Sequence, residues 1–126
     1  IGSRFVASNE SSAHKNFKDT VVDAKEGDTI LTLKEITPVR LIKNAFYQKV
    51  VEAYKAGEKV EALVTLLGRG RAKKGMFEGN LEEGELEIGQ VSGLINEIKP
   101  AAEIVEEIIT DYRKCLQAQN TEKFNF

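Results

Sequence analysis

Apolar positions recur along this chain with changing period, and each period predicts an element. Residues 1–7, Ile-Gly-Ser-Arg-Phe-Val-Ala, read as a short strand, and the oxygens of Ser8, Asn9, Ser11 and Ser12 offer N-caps for a following helix. Ala13, Phe17 and Val21 fall at helical spacing, and Gly27 closes that helix. Residues 28–33 are β-branched and alternating, and Val39-Arg40-Leu41-Ile42 beyond Pro38 pairs with them as a second strand. From Ala45 the period is again helical: Phe46, Val50, Val51 and Tyr54 form one stripe ending at Gly57, and Val60, Leu63, Val64 and Leu67 form a second. Residues 76–94 are punctuated by Gly79, Gly84, Gly89 and Gly93 and read as an irregular segment holding Met76, Phe77, Leu86 and Ile88 inward. Pro100 suits the first turn of a last helix with Ile104, Val105, Ile108, Ile109 and Tyr112 on its apolar face, and residues 120–126 form a polar tail. The expected fold class is mainly α with a few short strands.

Composition narrows the classes of function. The chain has 126 residues, 41% hydrophobic and 30% charged, which suits one soluble domain with its own core. Its apolar runs are only a few residues long, far short of the roughly 18 to 20 that span a bilayer. Cys115 is the one cysteine, so no internal disulfide forms, and a reducing, cytoplasmic setting is expected. A net charge of −2 gives no overall case for nucleic-acid binding. The opening on Ile-Gly-Ser, without an initiator methionine, suggests a fragment of a longer protein.

The candidate chemistry is local. Gly2-Ser3, at the end of a strand and before a helix, sits where α/β proteins place phosphate: glycine admits close approach, and amides and hydroxyl donate to phosphate oxygens. An ordinary strand-end glycine is the competing reading. Residues 68–75 carry Arg69, Arg71, Lys73 and Lys74, either a grip for anions or a solvated helix end. His14 is the one histidine, so no metal site assembles around it, and it suits a surface or capping role. Cys115 on a helix face suits packing rather than nucleophilic chemistry, and the clusters Glu82, Glu83, Glu85, Glu87 and Glu103, Glu106, Glu107 suit solvated faces. No residue is assigned as catalytic.

Three stretches taken in order resemble the C-terminal part of the FMN-dependent nitronate monooxygenases, formerly called 2-nitropropane dioxygenases, and of the related flavin-dependent enoyl-acyl carrier protein reductases. The first is Ile1-Gly2-Ser3-Arg4-Phe5 with Glu10, Ala13 and His14, similar to the family's Gln-x-Gly-[Thr/Ser]-Arg-Phe strand and Glu-Ser-x-x-His helix. The second is Pro38-Val39-Arg40 with Lys43-Asn44. The third runs from Gly89-Gln90 to Ile95 and on through Ile98-Lys99-Pro100.

That resemblance implies a (β/α)8 TIM-barrel parent. Residues 1–27 would supply its last strand and helix, and residues 28–126 a C-terminal helical lid region with a short hairpin. It implies FMN as cofactor, with Ile1, Gly2 and Ser3 at the phosphate and Gly89-Gln90 approaching the flavin. The implied parent is an oxidoreductase that oxidises alkyl nitronates with oxygen. Alternatives are an NAD(P)H-dependent enoyl-acyl carrier protein reductase, whose acidic carrier could meet Arg71, Lys73 and Lys74, and a free-standing helical interaction module. The family's histidine base belongs to the part not represented, so the fragment alone is expected to be inactive, to bind FMN weakly or not at all, and to self-associate. An unpaired edge at residues 1–7 and an uncovered stripe of Ala13, Phe17 and Val21 would drive that association. Its substrates would be small nitronates or acyl thioesters, with neither nucleic acid nor membrane as partner.

Overall fold

The computed structural model describes residues 1–119, and the expected tail at residues 120–126 lies outside them. The architecture is mainly helical: α1 (Gly2–Val6), α2 (Lys15–Asp23), β1 (Thr29–Thr32), β2 (Val39–Ile42), α3 (Ala45–Lys55), α4 (Val60–Leu67), α5 (Arg71–Met76), a 3₁₀ turn (Gln90–Leu94) and α6 (Ala101–Gln119). The hairpin forms as expected, β1 and β2 pairing antiparallel with Thr29 opposite Ile42 and Thr32 opposite Val39. Leu41 extends the edge through an antiparallel bridge to Glu87.

Residues 1–7 do not form a strand. Gly2–Val6 is a short helix without a side-chain cap, held by contacts distant in sequence. The Arg4 guanidinium donates to the carbonyls of Ala7 and Glu97 at 3.3 and 3.1 Å, and Ser8 forms a parallel bridge with Lys99. The next helix is shorter than its pattern suggested: α2 stops at Asp23 because Ala24 is extended, and Gly27, at φ 87°, serves the turn into the hairpin. His14 caps α2, its Nδ1 accepting from the Asn16 amide at 3.1 Å, in the capping role expected of it.

Two apolar clusters meet at β2. One gathers Ala7, Phe17, Val21, Ala24, Ile42, Leu86, Ile88 and Ile95; the other gathers Leu33, Leu41, Phe46 and Val50. Leu41 and Ile42 are adjacent, and strand alternation sends one to each cluster. Phe17 and Val21 are fully buried, so neither they nor a strand edge at residues 1–7 offers the uncovered surface expected of this region. Phe77, expected inward, is 50% exposed.

Arg71 is not a free cation of the basic run. It lies 4.4 Å over the Phe46 ring and donates to the carbonyls of Leu66, Leu67 and Glu83 at 2.9, 2.8 and 2.7 Å. It ties α4, α5 and the loop at Glu83 together, which removes it from any docking role.

Candidate functional site: the Ser3 and Gly89 cleft

The first and third sequence stretches converge in space. Ser3 Oγ accepts a hydrogen bond from the Gly89 amide at 3.0 Å, across a separation of 86 residues. Gly89 has an ordinary extended backbone, φ −70° and ψ 155°, so positive φ does not require glycine there. The requirement is close approach: a Cβ on Gly89 would come within 2.5 Å of Ser3 Oγ. Gly2 faces open space, with nothing within 4 Å of where its Cβ would stand.

This corner is a donor-rich surface. The first amides of a helix lack intrahelical carbonyl partners, which leaves those of Gly2 and Ser3 available. Because the Ser3 hydroxyl accepts from Gly89, its own hydrogen remains free to donate. Two amides, one hydroxyl and a glycine without steric bulk match the oxygens of a phosphate monoester, the end group of FMN. The Ile1 side chain, 83% exposed, makes no part of this corner; its carbonyl accepts from the Arg4 amide at 3.0 Å. Gln90 begins the 3₁₀ turn beside it and lines a second concavity of about 510 Å³ with Glu26, Gly27, Val91, Gly93 and Leu94. Of the expected site residues, Gly2, Ser3 and Gly89 are therefore brought together, Gln90 adjoins them, and Ile1 supplies backbone only.

A cleft of about 390 Å³ runs from this corner, lined by Ser3, Val6, Pro38, Val39, Arg40, Glu87, Ile88 and Gly89. Arg40 was legible only as part of a motif, not as a site residue. Its Nη1 donates to Thr29 Oγ1 at 3.1 Å, and its carbonyl accepts from the Ile88 amide at 3.1 Å, fixing the 87–89 segment beside the hairpin. The remaining guanidinium hydrogens give the cleft a cationic wall, opposed by Glu87. Lys43 and Asn44 of that motif are structural: Lys43 donates to the Gly27 carbonyl at 2.7 Å, and Asn44 caps α3 while donating to the carbonyls of Leu81 and Gly84.

The turn behind α1 is tied to α2 and to the segment before α6. The buried Lys18 ammonium donates to the carbonyls of Ser8 and Asn9 at 2.7 and 3.3 Å, while the Asn9 amide donates to the Lys99 carbonyl at 3.0 Å. Lys99 is held in turn by Glu107 and then Glu97, whose hydrogen bonds raise its ammonium above the usual lysine value. On the hairpin side, burial, and then the charge of Glu87, push the Glu85 carboxyl up to about 6 against the pull of Arg71. Among the described residues no cluster of ligating side chains could hold a metal ion, and Cys115 is exposed on α6.

The chain as a whole has counterparts among known proteins. The nitronate monooxygenase family model matches residues 1–111, and the chain belongs to that family of flavin-dependent oxidoreductases. Among solved structures it is similar to FabK from Thermotoga maritima, at 32% identity over 92% of this chain with a TM-score of 0.78. The M276A mutant of FabK from Thermotoga maritima gives 34% identity over 92% of this chain and a TM-score of 0.75. The chain spans 37% and 34% of those two proteins, about a third of their length. No helix among the described residues is long and apolar enough to cross a membrane.

Proposed function

We propose that the protein of which these residues form the C-terminal part is an FMN-dependent oxidoreductase that oxidises alkyl nitronates with oxygen. The hydrogen bond from the Gly89 amide to Ser3 Oγ carries this reading, because it brings together at one corner a hydroxyl, the amides of Gly2 and Ser3 and the open space beside Gly2. FMN, when bound, supplies the electron acceptor for the substrate carbon and returns the electrons to oxygen. The chain's own contribution is binding and orientation. Gly2 and Ser3 would donate to the phosphate, Gly89 holds the Ser3 hydroxyl at that corner, and Gln90 follows it in the 3₁₀ turn. None of these residues moves a proton in the chemical step, and the base belongs to the remainder of the protein.

The likeness to FabK favours a second reading, NAD(P)H-dependent reduction of an enoyl thioester on an acyl carrier protein. Lys73 and Lys74 remain on the surface for such an acidic partner, whereas Arg71 is committed to the fold. Anaerobic mixing of the full-length protein with propyl-2-nitronate, and separately with NADPH, separates the two. Flavin bleaching by the nitronate alone supports the first reading. Bleaching by NADPH alone replaces it with the second.

A further inference from the structure

The corner at Ser3 offers hydrogen bonds but little charge. α1 has five residues, so its peptide dipoles sum to a weak field, and its first amides and the Ser3 hydroxyl are neutral donors. A phosphate monoester carries about −1.5 to −2 charges at neutral pH, and taking it out of water against neutral donors alone is costly. A cation is needed beside them.

The cations around this corner are committed elsewhere, with one exception. Arg4 donates to the carbonyls of Ala7 and Glu97, Lys18 to those of Ser8 and Asn9, and Lys43 to that of Gly27, while Lys99 lies between Glu97 and Glu107. Arg40 differs. It is the one cation among the residues that line the cleft with Ser3, and it has no ion-pair partner among the described residues. Its side chain is anchored all the same, through the bond from Nη1 to Thr29 Oγ1, which leaves the hydrogens on Nε and Nη2 free to donate.

The backbone brings Arg40 and Ser3 to one place. Consecutive amides of a single segment do so: that of Ile88 donates to the Arg40 carbonyl at 3.1 Å, and that of Gly89 to Ser3 Oγ at 3.0 Å. Glu87, one residue earlier, brings an exposed carboxylate to the same cleft, and it too lacks an ion-pair partner among the described residues. The two charges act on an anion in the cleft with opposite sign.

We propose that Arg40 is a specificity-determining residue for the cofactor: its planar fork meets the charge of the phosphate, so that the protein selects FMN over riboflavin, and Glu87 opposes the same anion and limits its affinity. This rests on the FMN reading above and adds to it the source of the positive charge. Fluorescence titration of the full-length apoprotein with FMN, and separately with riboflavin, isolates the phosphate, because the two flavins share the ring and the ribityl chain. Arg40→Met should weaken FMN roughly tenfold to a hundredfold and leave riboflavin unchanged. Arg40→Lys, which keeps the charge and loses the fork, should fall between it and the original protein. Glu87→Gln should tighten FMN severalfold, again with riboflavin unchanged. An Arg40→Met protein that loses affinity for both flavins alike would mark a merely structural role and overturn the proposal. FMN affinity indifferent to both positions would equally overturn it. If circular dichroism shows that Arg40→Met does not fold, the ratios for Arg40→Lys and Glu87→Gln decide in its place. An original protein that takes up neither flavin would sink the FMN reading together with this inference, whereas tight FMN binding with an unchanged ratio in the variants sinks this inference alone.

Discussion

Gly89 shows how much one missing side chain can specify. Its backbone angles are open to any residue, and the constraint is the Ser3 hydroxyl standing where a Cβ would go. Gly89→Ala should therefore force Ser3 aside at a cost of about 1–3 kcal/mol, read as a lower melting temperature of this chain. The flavin-to-protein absorbance ratio of the full-length protein should fall severalfold in the same variant. From sequence this glycine was visible as part of a motif, but its reason was not, since Ser3 lies 86 residues away. Glu85 is a second case. Its carboxyl is raised from 4.5 to about 6, so the folded state binds its proton more tightly than the unfolded state does. That contribution to stability is complete below pH 4.5 and is lost as the pH rises through 6. Glu85→Gln should make the chain more stable at pH 7 to 8 by about 1 kcal/mol and flatten stability between pH 4.5 and 6, as urea titrations at several pH values would show.

At the scale of elements, the hairpin and helices α3 and α4 follow directly from local pattern because their apolar stripes and end signals agree. Asn44 caps α3 by accepting from the Tyr47 amide, and Gly57 and Gly68 both take positive φ where those helices end. Helix α1 was illegible for the opposite reason. Five residues cannot nucleate a helix alone, and Arg4 and the packing of Val6 and Ala7, all dependent on residues far along the chain, decide its conformation. The role of Arg71 was hidden likewise: in sequence it is one of four cations, whereas in the fold it meets a ring and three carbonyls. Arg71→Met should cost about 2–4 kcal/mol through those stranded acceptors, measured by denaturant unfolding, and Arg71→Lys should recover little of it because an ammonium lacks the planar fork. A tighter element contact lies between Gly75 of α5 and Gly84, where a Cβ on Gly84 would fall 2.1 Å from the Gly75 Cα. Gly84→Ala should detach α5 from the loop and be as damaging as the arginine change.

For the whole molecule, the family was readable because three short stretches keep their order across most of the chain, and the first and third of them meet at Ser3 and Gly89. The position of α6 relative to the body was not, since helical periodicity marks a face as apolar without saying what covers it. On the proposed function this chain would supply only one wall of the cofactor pocket, and fluorescence titration of it should show FMN binding no tighter than the high micromolar range. The two apolar clusters that divide at β2 also have a consequence for cooperativity. Leu41 and Ile42 belong to different cores, so the part built on Leu33, Phe46 and Val50 can open without exposing Phe17, Val21 or Leu86. Native-state hydrogen exchange should then resolve two unfolding units, with the amides of α3 exchanging at a lower free energy than those of α2. In the longer protein, the half bearing the hairpin turn and α3 would breathe over a corner that stays fixed, so a ligand in the cleft at Arg40 would rigidify the more mobile half first.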